Sequence, residues 1–177
     1  MKISITTIEL TQKLNKRWRN MYRNVEDFLK DWTVSYEGTA SVIKAMTDEK
    51  LGQSIVEDHS SLGWLAWHLV GAAGAFGQFA GFKVQGPGPN DLQPTSVQEI
   101  SQAYEAIAHA IKEEAAKITD EDLLGEVKSF TGATKRGKLL RGLIDHQTHH
   151  RGQMTVLLRQ AGLSVPPVMG PTKEMQA

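Results

Sequence analysis

The chain contains no cysteine in 177 residues. That absence removes disulfides, thiolate metal sites and a cysteine nucleophile together. It also fits a reducing compartment, so the cytoplasm is the expected location. Net charge is missing too: 20 basic residues balance 20 acidic ones, and the molecule as a whole makes no electrostatic case for nucleic acid. No apolar run of the secretory kind follows Lys2. Nor is there a Gly-rich phosphate loop or a G-x-S-x-G elbow. H-E-x-x-H fails because position 147 is Gln, which excludes the zincin general base.

Two features look at first like exceptions. Residues 62–82, LGWLAWHLVGAAGAFGQFAGF, carry no Asp, Glu, Lys or Arg and are long enough to cross a bilayer. His68, Gln78 and five glycines within them, and the lack of a second such segment, argue for a buried bundle helix and against a membrane. Its GAAGA run, Gly71–Ala75, has side chains small enough for a neighbouring helix to approach closely. The second feature is the basic start, where Lys2, Lys13, Lys16, Arg17, Arg19 and Arg23 face Glu9 alone. Thr6-x-x-Glu9 reads as a capping box, with Leu10, Leu14, Trp18, Met21 and Tyr22 at helical spacing after it. This predicts a short basic helix over residues 1–23 that packs on the acidic remainder or on a second copy, with no nucleic acid involved.

Helical periodicity dominates the remainder. Val25, Phe28, Leu29, Trp32, Tyr36, Ala40, Ile43 and Met46 mark a helix over about 24–46. Ser60 or Ser61 caps the next helix, which runs to about Phe82, before GPGPNDLQPTS breaks the chain. A third helix covers about 96–118, and Thr119 caps a short helical turn. GEVKSFTGATKRG is the least helical stretch and reads as a loop or a short extended excursion. The last helix spans roughly 135–161 and stops at Gly162, ahead of Pro166 and Pro167. With no convincing strand pair, the expected fold is all-α: a four-helix bundle with a short extra N-terminal helix. The domain reading is an extension at 1–23, a bundle at 24–171 and a tail at 172–177. Connections of this length leave the order of helices around the bundle open.

Three of the six histidines fall within LIDHQTHHRGQM. Leu139, Leu143, His146, His150, Gln153 and Leu157 step by alternating fours and threes, the seam of a packed helix. His146 and His150 therefore share the inward stripe, while His149, about 100° away, looks outward. Arg151 falls off the seam and reads first as a surface residue in a salt bridge, with a role toward a substrate anion as the weaker alternative. An inward histidine pair needs partners for its ring nitrogens. A metal held at i, i+4 supplies one to each ring; hydrogen bonds to carbonyls or buried water are the other solution. The other histidine deep in an apolar helix is His68, on the stripe of Leu65, Ala72 and Phe79. His59 and His109 read as surface or boundary residues. Three imidazoles with no obvious carboxylate form an open site and disfavour a Glu/His di-iron centre. Trp64 and Trp67 flank His68 and either shape an apolar pocket or simply pack.

SSLGWLAWHLV around His68 and LLRGLIDHQTHHRGQMTVLLRQAGLSVPPVMGP from Leu139 to Pro171 together resemble the DinB/YfiT-like family of metalloenzymes. The order and spacing fit across residues 24–171. The resemblance implies a four-helix bundle that holds a divalent metal through His68, His146 and His150, with water completing the sphere. Members of known chemistry use a low-molecular-weight thiol, such as bacillithiol or mycothiol, in transferase or isomerase reactions. The DinB name does not imply DNA binding. Met169 departs from the tyrosine that relatives commonly show before the GP of the tail.

The expected function is a metal-dependent enzyme, a transferase or hydrolase, that activates a small thiol or water toward a small-molecule substrate. Gln153 is the candidate for orienting water or a substrate group. Zinc, nickel and iron all suit three imidazoles. A homodimer is expected from the resemblance and the apolar N-terminal helix. The alternative is a non-catalytic interaction bundle with a structural or vestigial metal site.

Overall fold

The computed structural model describes residues 21–88 and 90–176. The expected N-terminal helix and its capping box at residues 6–9 lie almost wholly outside the described residues, and residues 21–24 are irregular. The four long helices are α1 (Val25–Lys44), α2 (Leu62–Phe79), α3 (Val97–Ala115) and α5 (Arg136–Gln160). A single turn, α4 (Asp120–Leu123), precedes a hairpin of β1 (Glu126–Ser129) and β2 (Gly132–Lys135).

The helix ends follow from short polar side chains that take up backbone N–H groups. Asn24 accepts from Asp27 N, Ser61 from Trp64 N, and Thr119 forms a full capping box with Asp122. Gly162 ends α5 at φ 75°, in the left-handed region that glycine enters without strain. The α2 helix ends at Phe79, three residues short of the expected Phe82, and Gly81 turns the chain at φ 83°. No described helix is long and apolar enough to cross a membrane.

Each long helix packs on two others: α1 on α3 and α5, and α2 on α3 and α5. The order around the bundle is therefore α1, α3, α2, α5, with consecutive α1 and α2 on a diagonal. The connections of 17 residues between α1 and α2 (45–61) and 20 residues between α3 and α5 (116–135) are what allow those crossovers. Phe28, Trp32, Leu69, Ile100, Ile111, Leu140 and Leu143 are fully buried between the helices. Trp32 Nε1 donates to Ala108 O at 3.0 Å, so the largest core ring leaves no polar atom unsatisfied.

Two expectations change here. GEVKSFTGATKRG forms an antiparallel hairpin, pairing Glu126 with Lys135 and Ser129 with Gly132. Its tip residue Phe130 packs edge-on against Phe76 and Phe79 of α2, with ring centroids 5.0 and 4.8 Å away. The hairpin is stable through that contact, since two short strands alone bury too little. The two glycines of the GAAGA run are approached by connecting chain and not by a helix, while Ala73 between them is fully buried in the core. The close neighbour of Gly74 is the returning chain: a Cβ on Gly74 would lie 2.7 Å from Gly86 Cα.

Candidate metal centre

The α2 and α5 helices lie side by side, and that contact brings His68 to His146 and His150. His68 Nε2 and His146 Nε2 are 3.2 Å apart. One ring nitrogen from each of the three histidines lies within 4.8 Å of the other two. Among the described residues this is the group able to hold a metal ion, and no carboxylate or further ligand joins it. His59 and His149 are exposed, as is His109, whose ring sits 5.4 Å from that of Tyr36.

The donor set fits a divalent ion. Two imidazole nitrogens on one tetrahedral ion at ordinary bond lengths stand roughly 3.3 Å apart, close to the His68–His146 separation. His150 Nδ1 is 2.8 Å from Gln153 Oε1. An Nδ1–H donated there leaves the Nε2 lone pair of His150 free, as outer partners of metal-ligating histidines do. Gln153 Nε2 in turn reaches His149 Nε2 at 3.4 Å. His146 differs, because its Nδ1 is buried with no partner among the described residues. Burial, reinforced by the neighbouring imidazoles, pushes the His146 pKa down to about 4. Burial lowers that of His68 as well, with His150 adding to it. The His68 and His146 rings are held neutral, the state a ligand needs.

The histidines sit at the edge of a cleft of about 810 Å³. His68 and His146 line it, with Trp64, Trp67, Phe76 and the hairpin residue Phe130 as its aromatic walls. Trp64 stacks flat on His68, 4.9 Å between ring centroids and 6° between planes, while remaining 46% exposed. It is thus neither core nor free surface: it fixes the orientation of the His68 ring. The return chain after α2 closes another side, where Asp91 Oδ2 accepts from Gly88 N at 2.7 Å.

The inward stripe of α5 is rotated by about one residue from the expected seam. Leu140, Leu143, Gln147, Arg151, Met154 and Leu158 face the centre, while His146 and His150 are half-buried on the flank. A helix wedged between two neighbours buries a wider arc than a coiled-coil seam, which explains the shift. Gln153 is exposed and bonds the outer nitrogen of His150, so it supports that ring from behind. Arg151 is 5% exposed and makes no salt bridge among the described residues; its Nη1 donates to Ser35 O at 2.9 Å and approaches Thr39 Oγ1 at 3.3 Å. Gln147 accepts from the buried Tyr104 hydroxyl at 2.9 Å. Met169 is 84% exposed and lines a different cleft from the one beside the histidines. The sequence reading missed Phe130, whose place on a hairpin tip had only the nearby glycine as a signal.

Known proteins share this arrangement of helices. A DinB-like protein from Bacillus cereus ATCC 10987 superposes with a TM-score of 0.78 at 40% identity, covering 82% of this chain and 98% of that one. A second DinB-like protein, YjoA from Bacillus subtilis, gives a TM-score of 0.65 at 14% identity, over 82% of this chain and 99% of its own, which is likeness of fold alone. The uncharacterized protein YrdA of Bacillus subtilis strain 168 is 38% identical over 155 residues, 87% of this chain and 93% of its own length. The DinB family profile matches residues 21–177. With a profile match across nearly all of its length and relatives at this identity, the chain belongs to the DinB family.

Proposed function

We propose that the protein is a metal-dependent enzyme in which His68, His146 and His150 hold one divalent ion and a small thiol or water acts as nucleophile. The observation that carries this reading is the convergence of three imidazoles, with no carboxylate among the described residues, at the edge of a large aromatic cleft. A divalent ion held there supplies Lewis acidity and a nucleophile at neutral pH. Three protein donors leave room for an exogenous ligand, whereas structural sites are usually closed by four. That difference favours an enzyme over an interaction bundle with a structural metal.

The side chains have separable tasks in this reading. Gln153 holds the His150 tautomer through Nδ1, and Trp64 holds the His68 ring plane. Trp67, Phe76 and Phe130 present apolar surface to a small-molecule substrate and keep water from it. Zinc, nickel and iron all suit the donor set. Metal-loaded protein should accelerate conjugation of a low-molecular-weight thiol, bacillithiol among those assayed, to a small electrophile, and His150→Ala should abolish the acceleration. No thiol or water reaction faster than that with free metal would remove the enzyme reading. A homodimer belongs to the same proposal; light scattering giving a strict monomer would remove that part alone.

A further inference from the structure

On the side of α5 away from the histidines lies a second cleft of about 400 Å³, between the last turns of the helix and the chain from Val165 to Thr172. Arg151 lines it, together with Thr148, Thr155 and the apolar side chains of Val165, Val168 and Met169. Arg151 is almost fully buried, yet no carboxylate pairs with it among the described residues. A guanidinium has five N–H donors, and only Nη1 is engaged, on Ser35 O and Thr39 Oγ1. The Nε and Nη2 donors make no protein hydrogen bond among the described residues, and these two form the edge that matches a carboxylate fork.

A buried cation without a counter-charge is costly, and folds normally pair it. Here the surroundings do the opposite. The guanidinium and the tail meet at Gly38, where a Cβ would lie 2.6 Å from Val168 Cγ1 and 3.8 Å from Arg151 Cζ. The second guanidinium of the cleft is already spent, since Arg159 makes two bonds to Glu174, at 2.8 and 3.3 Å. One unspent positive charge, walled by valine and methionine, matches one negative charge on a short apolar body.

We propose that this cleft is a binding site for a small monocarboxylate, its two oxygens on Nε and Nη2 of Arg151 and its apolar body against Val165 and Val168. The site is separate from the histidines and does not depend on the metal reading. The test is calorimetric titration of the full-length protein with propanoate, propanamide and inorganic phosphate, beside thermal melts. Propanoate should bind and raise the melting temperature, propanamide should do neither, and Arg151→Met should lose propanoate binding. Thr155→Tyr, which fills the cleft from its outer side and leaves the buried guanidinium in place, should also lose it. If Arg151→Met does not fold, the ¹⁵N resonance of the Arg151 Nε–H in the wild type reports instead, and propanoate should shift it. Equal binding of the amide, binding retained in Arg151→Met or Thr155→Tyr, or no binding and no shift would overturn the proposal. Phosphate binding more tightly than propanoate would overturn the assigned ligand class. Propanoate binding that disappears in His146→Ala would place the anion at the histidines and overturn the site.

Discussion

Between α1 and α3 the bundle is filled by rings that have nothing left to bond: Phe28 and Trp32 stack fully buried, and the indole N–H is taken by Ala108 O. Between α2 and α5 the same bundle puts glycine and alanine, three imidazoles and a cleft of about 810 Å³. Both halves come from helices of similar length. They differ in packing. The α1–α3 half is closed and holds the fold, with only the hydroxyls of Ser35 and Ser101 unpartnered among the described residues, whereas the other half lines, with His68 and His146, a cleft that a ligand can enter.

That contrast breaks most visibly at Trp32. Trp32→Ala removes a ring of the closed half and should cost about 3–5 kcal/mol of stability in denaturant unfolding. A cost below about 1 kcal/mol would mean that the α1–α3 half does not carry the fold. Gly74→Val drives a side chain into the Gly86 backbone and should cost about 1–3 kcal/mol as the return chain shifts. Tryptophan fluorescence should change with it, because the return chain and Trp64 share the cleft.

On the open side the effects belong to ligand binding. Gln153→Ala frees the outer nitrogen of His150 and should weaken metal affinity by about 10–100-fold in competition titrations. The melting temperature of the metal-free protein should hardly move, since Gln153 is exposed. Unchanged metal affinity would reduce the Gln153–His150 bond to a surface contact.

A separate effect is a pH dependence of the metal-free protein. His146 binds its proton near 6.5 when unfolded and near 4 when folded, with burial the main cause. Its contribution to stability is therefore full above 6.5 and is lost as the pH falls toward 4. His68 adds in the same direction. Unfolding midpoints should fall across that window, and His146→Ala should flatten the slope; an equal slope in the variant would assign it to other groups.

What could be read from sequence follows the range of the forces involved. Ser61, Thr119 and Gly162 mark helix ends through contacts within a few residues, and they stand where spacing put them. His68, His146 and His150 were findable because their spacing places them on faces of two helices and the family resemblance joins those faces. The α5 register was misjudged because Gln147 and Arg151 are polar, and only the Tyr104 hydroxyl and the α1 backbone make their burial tolerable. Those partners are more than 40 residues away in sequence. The hairpin was hidden for the same reason: four-residue strands hold little pattern, and Phe130 is fixed by Phe76 and Phe79 from another element.

The most direct test is metal content by elemental mass spectrometry on tag-free protein, beside His146→Ala shown to be folded by circular dichroism. The three-histidine reading predicts about one divalent ion per chain in the wild type and none in the variant. No ion after reconstitution, or an ion retained by folded His146→Ala, would contradict it and return His68, His146 and His150 to the packing of the bundle.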